Sequence, residues 1–238
     1  MSIDLHDVGV TLAGRPVLRA ISAGLTEARV GIVGRNGSGK TTLARVIAGL
    51  VAPDLGRARI GGIDLATDRR AALATVGIIF QNPDHQIIFP TVLEEIAFGL
   101  TQQGLRAAEA ETAARAMLGC FGKTHWAGAA THSLSQGQKQ LLCLMAVLAM
   151  RPRVVVMDEP FSGLDIPTRM QLTRHLDGIA AQIVTVTHDP DHLHGFDRVL
   201  WLEGGRLVAD GPPATVLPAF AAQMRDWGES DDLAHLAG

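Results

Sequence analysis

Tyrosine is absent from the 238-residue chain, and Phe and Trp together supply only 4% of it. The first of these rings is Phe80, so a ligand held by the N-terminal third cannot stack on a Tyr, Phe or Trp there. Cysteine is scarce as well. Cys120 and Cys143 show neither metal-ligand nor disulfide spacing. Cys143 falls inside the apolar run Leu141–Met150, where a buried structural thiol is expected and a reducing compartment fits. No sign of charge dominates: 21 Lys and Arg face 24 Asp and Glu, a net charge of −3. Nothing therefore points to DNA or RNA as the main partner. That apolar run is also the longest, far short of the ~20 residues needed to cross a bilayer. The N-terminus has no basic segment followed by an apolar core, so no signal peptide is expected. Any connection to a membrane is expected to run through a partner protein.

Apolar residues make up 47% of the chain and charged residues 19%, the balance of a folded domain rather than a disordered one. The length suits one large domain, or a core with a small subdomain. Alternation around Gly14 and Pro16 predicts antiparallel strands in the first thirty residues. Arg29–Val33 reads as a short buried strand ahead of a glycine-rich turn, and Thr41–Leu50 as the helix after it. Thr75–Phe80, Arg153–Asp158, Ile183–Thr187 and Val199–Leu202 read as further strands. Thr91–Phe121 is rich in Ala, Leu and Glu at helical spacing, and Ser135–Met150 reads as a buried helix. Together they suggest a helical subdomain over about residues 91–150. A last helix begins near Pro212 and runs into the acidic patch Glu229–Asp232. Strands alternating with helices imply a largely parallel sheet covered on both faces, an α/β fold.

Gly34-Arg35-Asn36-Gly37-Ser38-Gly39-Lys40-Thr41, followed by Thr42, fits the phosphate-loop pattern G-x-x-x-x-G-K-[ST] between a strand and a helix. Glycines let successive backbone N–H groups turn toward phosphate oxygens, and the helix adds its positive N-terminal end. Lys40 would reach the β- and γ-phosphates of ATP, and the Thr41 hydroxyl would ligate Mg2+. Downstream, Val154-Val155-Val156-Met157 delivers Asp158 and Glu159 to the carboxyl end of the sheet, where open α/β proteins bind ligands. Asp158 is the candidate second metal ligand and Glu159 the candidate base for an attacking water.

Leu134-Ser135-Gln136-Gly137-Gln138 resembles the signature motif of ABC-type ATPases, usually Leu-Ser-Gly-Gly-Gln. Gln81 after a strand resembles that family's Q-loop glutamine. Ser162-Gly163-Leu164-Asp165 resembles its D-loop, and His188 its switch histidine. Singly, such residues read as turn or helix-capping residues; it is their joint order, over nearly the whole chain, that carries the resemblance. The fold it implies is a RecA-like core with an N-terminal antiparallel β-subdomain and a helical subdomain, forming a single nucleotide-binding domain over 1–238.

In such ATPases two domains sandwich ATP head to tail. The resemblance thus places Ser135, Gly137 and Gln138 against a nucleotide bound by a second copy or a paralogue, a homodimer being favoured. It makes Gln81 a metal and water contact, His188 a γ-phosphate contact, and Asp165 a link between the two sites. Two positions depart from the family. The usual adenine-stacking aromatic is missing, with Leu12 near its place, and Gln136 replaces the first glycine of the signature.

The run Phe80-Gln81-Asn82-Pro83-Asp84-His85-Gln86-Ile87-Ile88-Phe89-Pro90-Thr91-Val92-Leu93-Glu94-Glu95-Ile96-Ala97-Phe98-Gly99 resembles the ATPases of energy-coupling-factor importers, which take up vitamins or cobalt and nickel ions. There this region meets a membrane-embedded coupling subunit, while a separate membrane subunit binds the substrate. Ile87–Phe89 reads equally as ordinary core or as part of a docking groove. Within that group the short chain with a single set of motifs is most similar to the biotin-importer ATPases, working peripherally at the cytoplasmic face of the cell membrane. The alternatives are a cobalt or nickel or another ABC transporter ATPase and, more remotely, an ATP-switched binding protein outside transport.

Overall fold

The computed structural model describes residues 1–230, so Asp231 and Asp232 of the acidic patch lie outside the described residues. Strands β1 (Ile3–Leu12) and β2 (Arg15–Leu25) form the expected antiparallel hairpin, turning at Ala13-Gly14 with positive φ at both. Strand β3 (Arg29–Val33) has the expected bounds and leads through the glycine loop into helix α1 (Lys40–Ile47). Next come β4 (Leu55–Ile60) and β5 (Ile63–Asp64), turning at Gly61-Gly62, and the short helix α2 (Arg69–Thr75). Strand β6 (Val76–Ile79) starts where α2 stops, since the Thr75 hydroxyl is still donating to the Ala71 carbonyl at 2.7 Å.

Helices α3 (Val92–Gln102), α4 (Ala107–Cys120) and α5 (Gln136–Ala149) follow, then strand β7 (Val154–Asp158) and helix α6 (Ile166–Asp177). Strands β8 (Gln182–Val186), β9 (Arg198–Glu203) and β10 (Arg206–Gly211) lead to helix α7 (Pro213–Ser230). The strands make two sheets, β2-β1-β4-β5 and β10-β9-β3-β8-β7-β6. In the larger sheet β9, β3, β8, β7 and β6 are parallel, and β10 closes one edge as an antiparallel strand.

Alternation along β7 shows how the layers lock. Val154 and Val156 face the core shared by α1 and the small sheet, whereas Val155 and Met157 face the core built with α5 and α6. All five β7 residues are buried, a central strand covered on both faces. The side chains of α3, α4 and α5 pool Ile96, Leu118, Leu142 and Met145 in that second core. A third core holds α7 on β9, with the Trp201 and Phe220 rings edge to face at 5.5 Å.

Candidate functional site

The glycine loop is shaped by its neighbours. A Cβ on Gly34 would run into the Leu202 carbonyl, and one on Gly39, at φ 102°, would sit 2.8 Å from Leu18 Cδ2. Only glycine fits these two positions. Gly39 also starts α1 without a side-chain cap, which leaves the helix's first N–H groups open to an anion. Lys40 is 7% exposed and its Nζ donates to the carbonyls of Gly34 and Arg35 at 2.7 and 2.9 Å. The buried Ser38 hydroxyl finds no acceptor or donor among the described residues. A cradle of open N–H groups, a spare hydroxyl and a held ammonium suits a phosphate chain.

Strand β7 carries Asp158 to the same edge, where it is buried and accepts a hydrogen bond from Thr41 Oγ1 at 3.2 Å. Burial pushes the Asp158 carboxyl up; the Thr41 bond, Arg45 and Lys40 pull it back, and Glu159 adds to the rise. Burial likewise pushes the Lys40 amine down, against Glu159, Asp158 and Glu203. A hydroxyl beside a reluctantly charged carboxylate is a hard oxygen set that fits Mg2+, which keeps most of its waters and asks little of the protein. No cluster of three or more His, Cys, Asp or Glu suited to a metal occurs among the described residues.

Glu159 sits in the left-handed region at φ 50°, held there because its N–H donates to the Val186 carbonyl at 2.9 Å. Its Oε1 lies 2.8 Å from His188 Nδ1, and Thr187 Oγ1 donates to its Oε2 at 3.4 Å. Glu159, His188, Gln81 and the loop residues Asn36, Gly37, Gly39, Lys40, Thr41 and Thr42 line one cleft of about 310 Å3. Among the described residues its one apolar wall residue is Val17, and no Tyr, Phe or Trp lines it. Leu12, expected near the adenine-stacking position, instead pairs with Arg15 at the end of β1, is half exposed and is not among the residues lining the cleft. The Arg35 guanidinium stacks over the Trp227 ring of α7 at 4.9 Å.

Ser135, Gly137, Gln138 and Asp165 form a second group outside this cleft. Ser135 caps α5: its hydroxyl accepts from the Gln138 N–H at 3.3 Å, while Gln138 Oε1 accepts from the Ser135 N–H at 2.8 Å. Asp165 caps α6, accepting from the Thr168 N–H at 2.9 Å, and Thr168, through its side chain first and its N–H second, holds the carboxyl below the usual range. A Cβ on Gly137 would strike Thr168, so the start of α5 packs on the start of α6. Gln136, the departure from the family pattern, lays its amide beside Gly163, whose missing side chain leaves the room.

Several contacts had no sequence signal of their own. Thr187 orients Glu159, yet a threonine ending a strand is commonplace. The buried Gln140 donates to the Phe80 carbonyl at 3.4 Å, and Lys139 pairs with Asp84 at 2.7 Å. These two bonds tie the Ser135 helix to the segment that carries Gln81. Helical spacing placed Lys139 and Gln140 on α5, but their partners lie more than fifty residues upstream.

No helix among the described residues is long and apolar enough to cross a membrane. Residues 20–162 match the family model described as ABC transporter. The biotin transport ATP-binding protein BioM of Rhodobacter capsulatus is 54% identical, over 94% of this chain and 96% of its own length. A putative ABC transporter ATP-binding protein of Deinococcus radiodurans is 42% identical, over 93% of this chain and 98% of its own. The structure of cbiO1 from Clostridium perfringens, part of the ABC transporter complex cbiONQ, superposes with a TM-score of 0.78 at 27% identity. That match covers 98% of this chain and 96% of cbiO1. A family model matched over more than half of the chain, and relatives matched over nearly their full length, show that the chain belongs to the ABC transporter family, as an ATP-binding, Mg2+-using ATPase.

Proposed function

We propose that this chain is the ATPase subunit of an energy-coupling-factor importer for biotin, working as a head-to-tail dimer at the cytoplasmic face of the membrane. The observation that carries this reading is the division of the site into two faces. Lys40, Thr41 and Glu159 line one cleft, with Asp158 hydrogen-bonded to Thr41, while the Ser135 cap stands outside it. One copy then supplies the phosphate loop and its neighbour supplies Ser135, Gly137 and Gln138, with Asp165 bridging the two sites. Residues 1–238 act as one nucleotide-binding unit in which the helices of about 91–150 respond to ligand.

ATP's phosphates lie along Gly34–Thr42, with Lys40 at the β- and γ-oxygens. Thr41 and Asp158, with Gln81, would hold Mg2+, which neutralises charge on the phosphate oxygens when bound. Glu159 accepts a proton from the water that attacks the γ-phosphate. Its carboxylate is aimed by Thr187 and His188, and His188 turns to the γ-phosphate as the dimer closes. Exposed Ile88, with Ile87 and Phe89, docks against helices of a membrane coupling subunit, and a third membrane subunit takes the substrate. The close resemblance to a biotin transport protein over nearly the full length supports biotin as cargo.

Deleting the gene should abolish uptake of labelled biotin at nanomolar concentration, and the wild-type chain should restore it where Glu159→Gln does not. Normal biotin uptake in the deletion strain would remove the cargo assignment. Affinity capture from native membranes that recovers no integral membrane protein would remove the transport assignment altogether.

A further inference from the structure

The segment from Gln81 to Phe89 leaves the nucleotide cleft at one end and presents an isoleucine to solvent at the other. Ile88 is 71% exposed, while Ile87 packs on the helical core and the Phe89 ring sits 4.9 Å from that of Phe98. What fixes the segment comes from α3. Glu95 is only 6% exposed, and its Oε2 accepts the N–H groups of both Ile88 and Phe89, at 2.9 and 2.8 Å. From the other side the Thr131 hydroxyl donates to the Phe89 carbonyl at 2.8 Å. Gln86 ties the start of the segment to the sheet, accepting from the Phe80 N–H at 3.2 Å and donating to the Ile78 carbonyl at 3.3 Å.

A carboxylate this buried is tolerated only where charge-assisted hydrogen bonds replace its water. Two adjacent amides aimed at one oxygen do that, and they fix the backbone at both residues. The cysteine on α5 senses the same charge: burial first, then Glu95 and Asp84, push the Cys143 thiol up to about 12. Resting on the docking reading above, we propose that Glu95 is a positioning residue for the membrane partner. Its buried carboxylate clamps the Ile88 and Phe89 amides, so that Ile88 stands as a rigid apolar knob fitted to a cleft between helices of an integral membrane protein. A pre-ordered knob spares the cost of ordering a loop on binding. A clamped segment also carries a shift at Gln81 through to Ile88, where a slack one would absorb it. An ATPase that drives transport must touch a membrane-embedded partner, and no helix among the described residues is itself long and apolar enough to cross a membrane.

The test uses the full chain, hydrogen exchange resolved to single amides, and rebinding to native membrane vesicles stripped of peripheral proteins. Protein-free lipid vesicles are the comparison. Glu95→Asp keeps the charge but withdraws the oxygen by one methylene; Glu95→Gln keeps an acceptor at full reach. Glu95→Asp should speed exchange at Ile88 and Phe89 about tenfold and weaken rebinding to native vesicles by a similar factor. Glu95→Gln should stay much closer to wild type in both. Ile88→Glu should lose rebinding while leaving exchange at Phe89 unchanged.

The clamp is overturned if Glu95→Asp exchanges as wild type, or if exchange rises while rebinding holds. It is overturned too if the amides of Leu142–Leu144 in α5 accelerate equally, which would mark general loosening. An Ile88→Glu chain that rebinds native vesicles fully, or a wild type that binds lipid alone as tightly, removes the docking reading itself.

Discussion

Lys40 and Asp158 each hold a charge where burial disfavours it, and each is left with a task for that charge. The sign of the Asp158 shift gives a stability prediction. Because its folded carboxyl is raised above the unfolded value, ionised Asp158 costs stability at neutral pH, and the cost fades as pH falls through the folded value and is gone below the unfolded one. Asp158→Asn should therefore melt higher than wild type near pH 7.5 without nucleotide or metal, with the gap closing toward pH 4, while Mg2+-dependent turnover collapses. Thermal melts across that range, beside an ATPase assay, check both halves. Glu159 is strained at φ 50° and aimed by Thr187 and His188. Glu159→Gln should lower turnover by about 10^2–10^4 with ATP affinity close to wild type, read by steady-state kinetics and equilibrium binding.

Helix α5 has two duties at its first turn. Its capping box stabilises the helix, and the same hydroxyl is the one proposed to reach across to a neighbour's nucleotide. Ser135→Ala should cost about 1 kcal/mol through the lost cap, lowering the melting temperature by about 2–4 °C. Its turnover should fall by more than that loss explains, whereas Ser135→Thr, which still caps, should recover the melting temperature. Sequence marks such elements well when the signal is local. The phosphate loop, the apolar strand into Asp158-Glu159, the Ser135 cap and the Asp165 cap all stand in consecutive residues, and each is found at its expected element. Strands β4, β5 and β10 and helix α2 gave no comparable signal. Leu55 is exposed and β5 has two residues, so pairing across the sheet, rather than any pattern within the strand, makes them strands. Thr187 and Gln140 escaped for the same reason: each acts through a partner distant in sequence, at a spacing that no periodicity records. Glu95 escaped for another, since its partners are backbone amides of a nearby irregular segment, which leave no mark in the residue pattern.

At the scale of the molecule, the small sheet brings Val17 to the cleft in place of an aromatic ring. Base stacking on an aromatic is worth about 1–3 kcal/mol in single-stranded nucleic-acid complexes, a scale for what is missing. Competition binding should accordingly find modest ATP affinity and GTP within about tenfold of ATP. A strong preference for ATP would show that another surface reads the base. The two-faced site is the more consequential feature, since a phosphate loop and a serine-capped helix that do not meet in one chain can meet only between chains. Light scattering of Glu159→Gln with and without Mg-ATP measures this directly. The head-to-tail clasp predicts a mass that doubles from 25.2 kDa when ATP is added. It also predicts a Glu159→Gln/Ser135→Arg chain that binds one nucleotide per copy and stays single. A Glu159→Gln chain that remains single with ATP bound, or a double variant that pairs as fully, would contradict it.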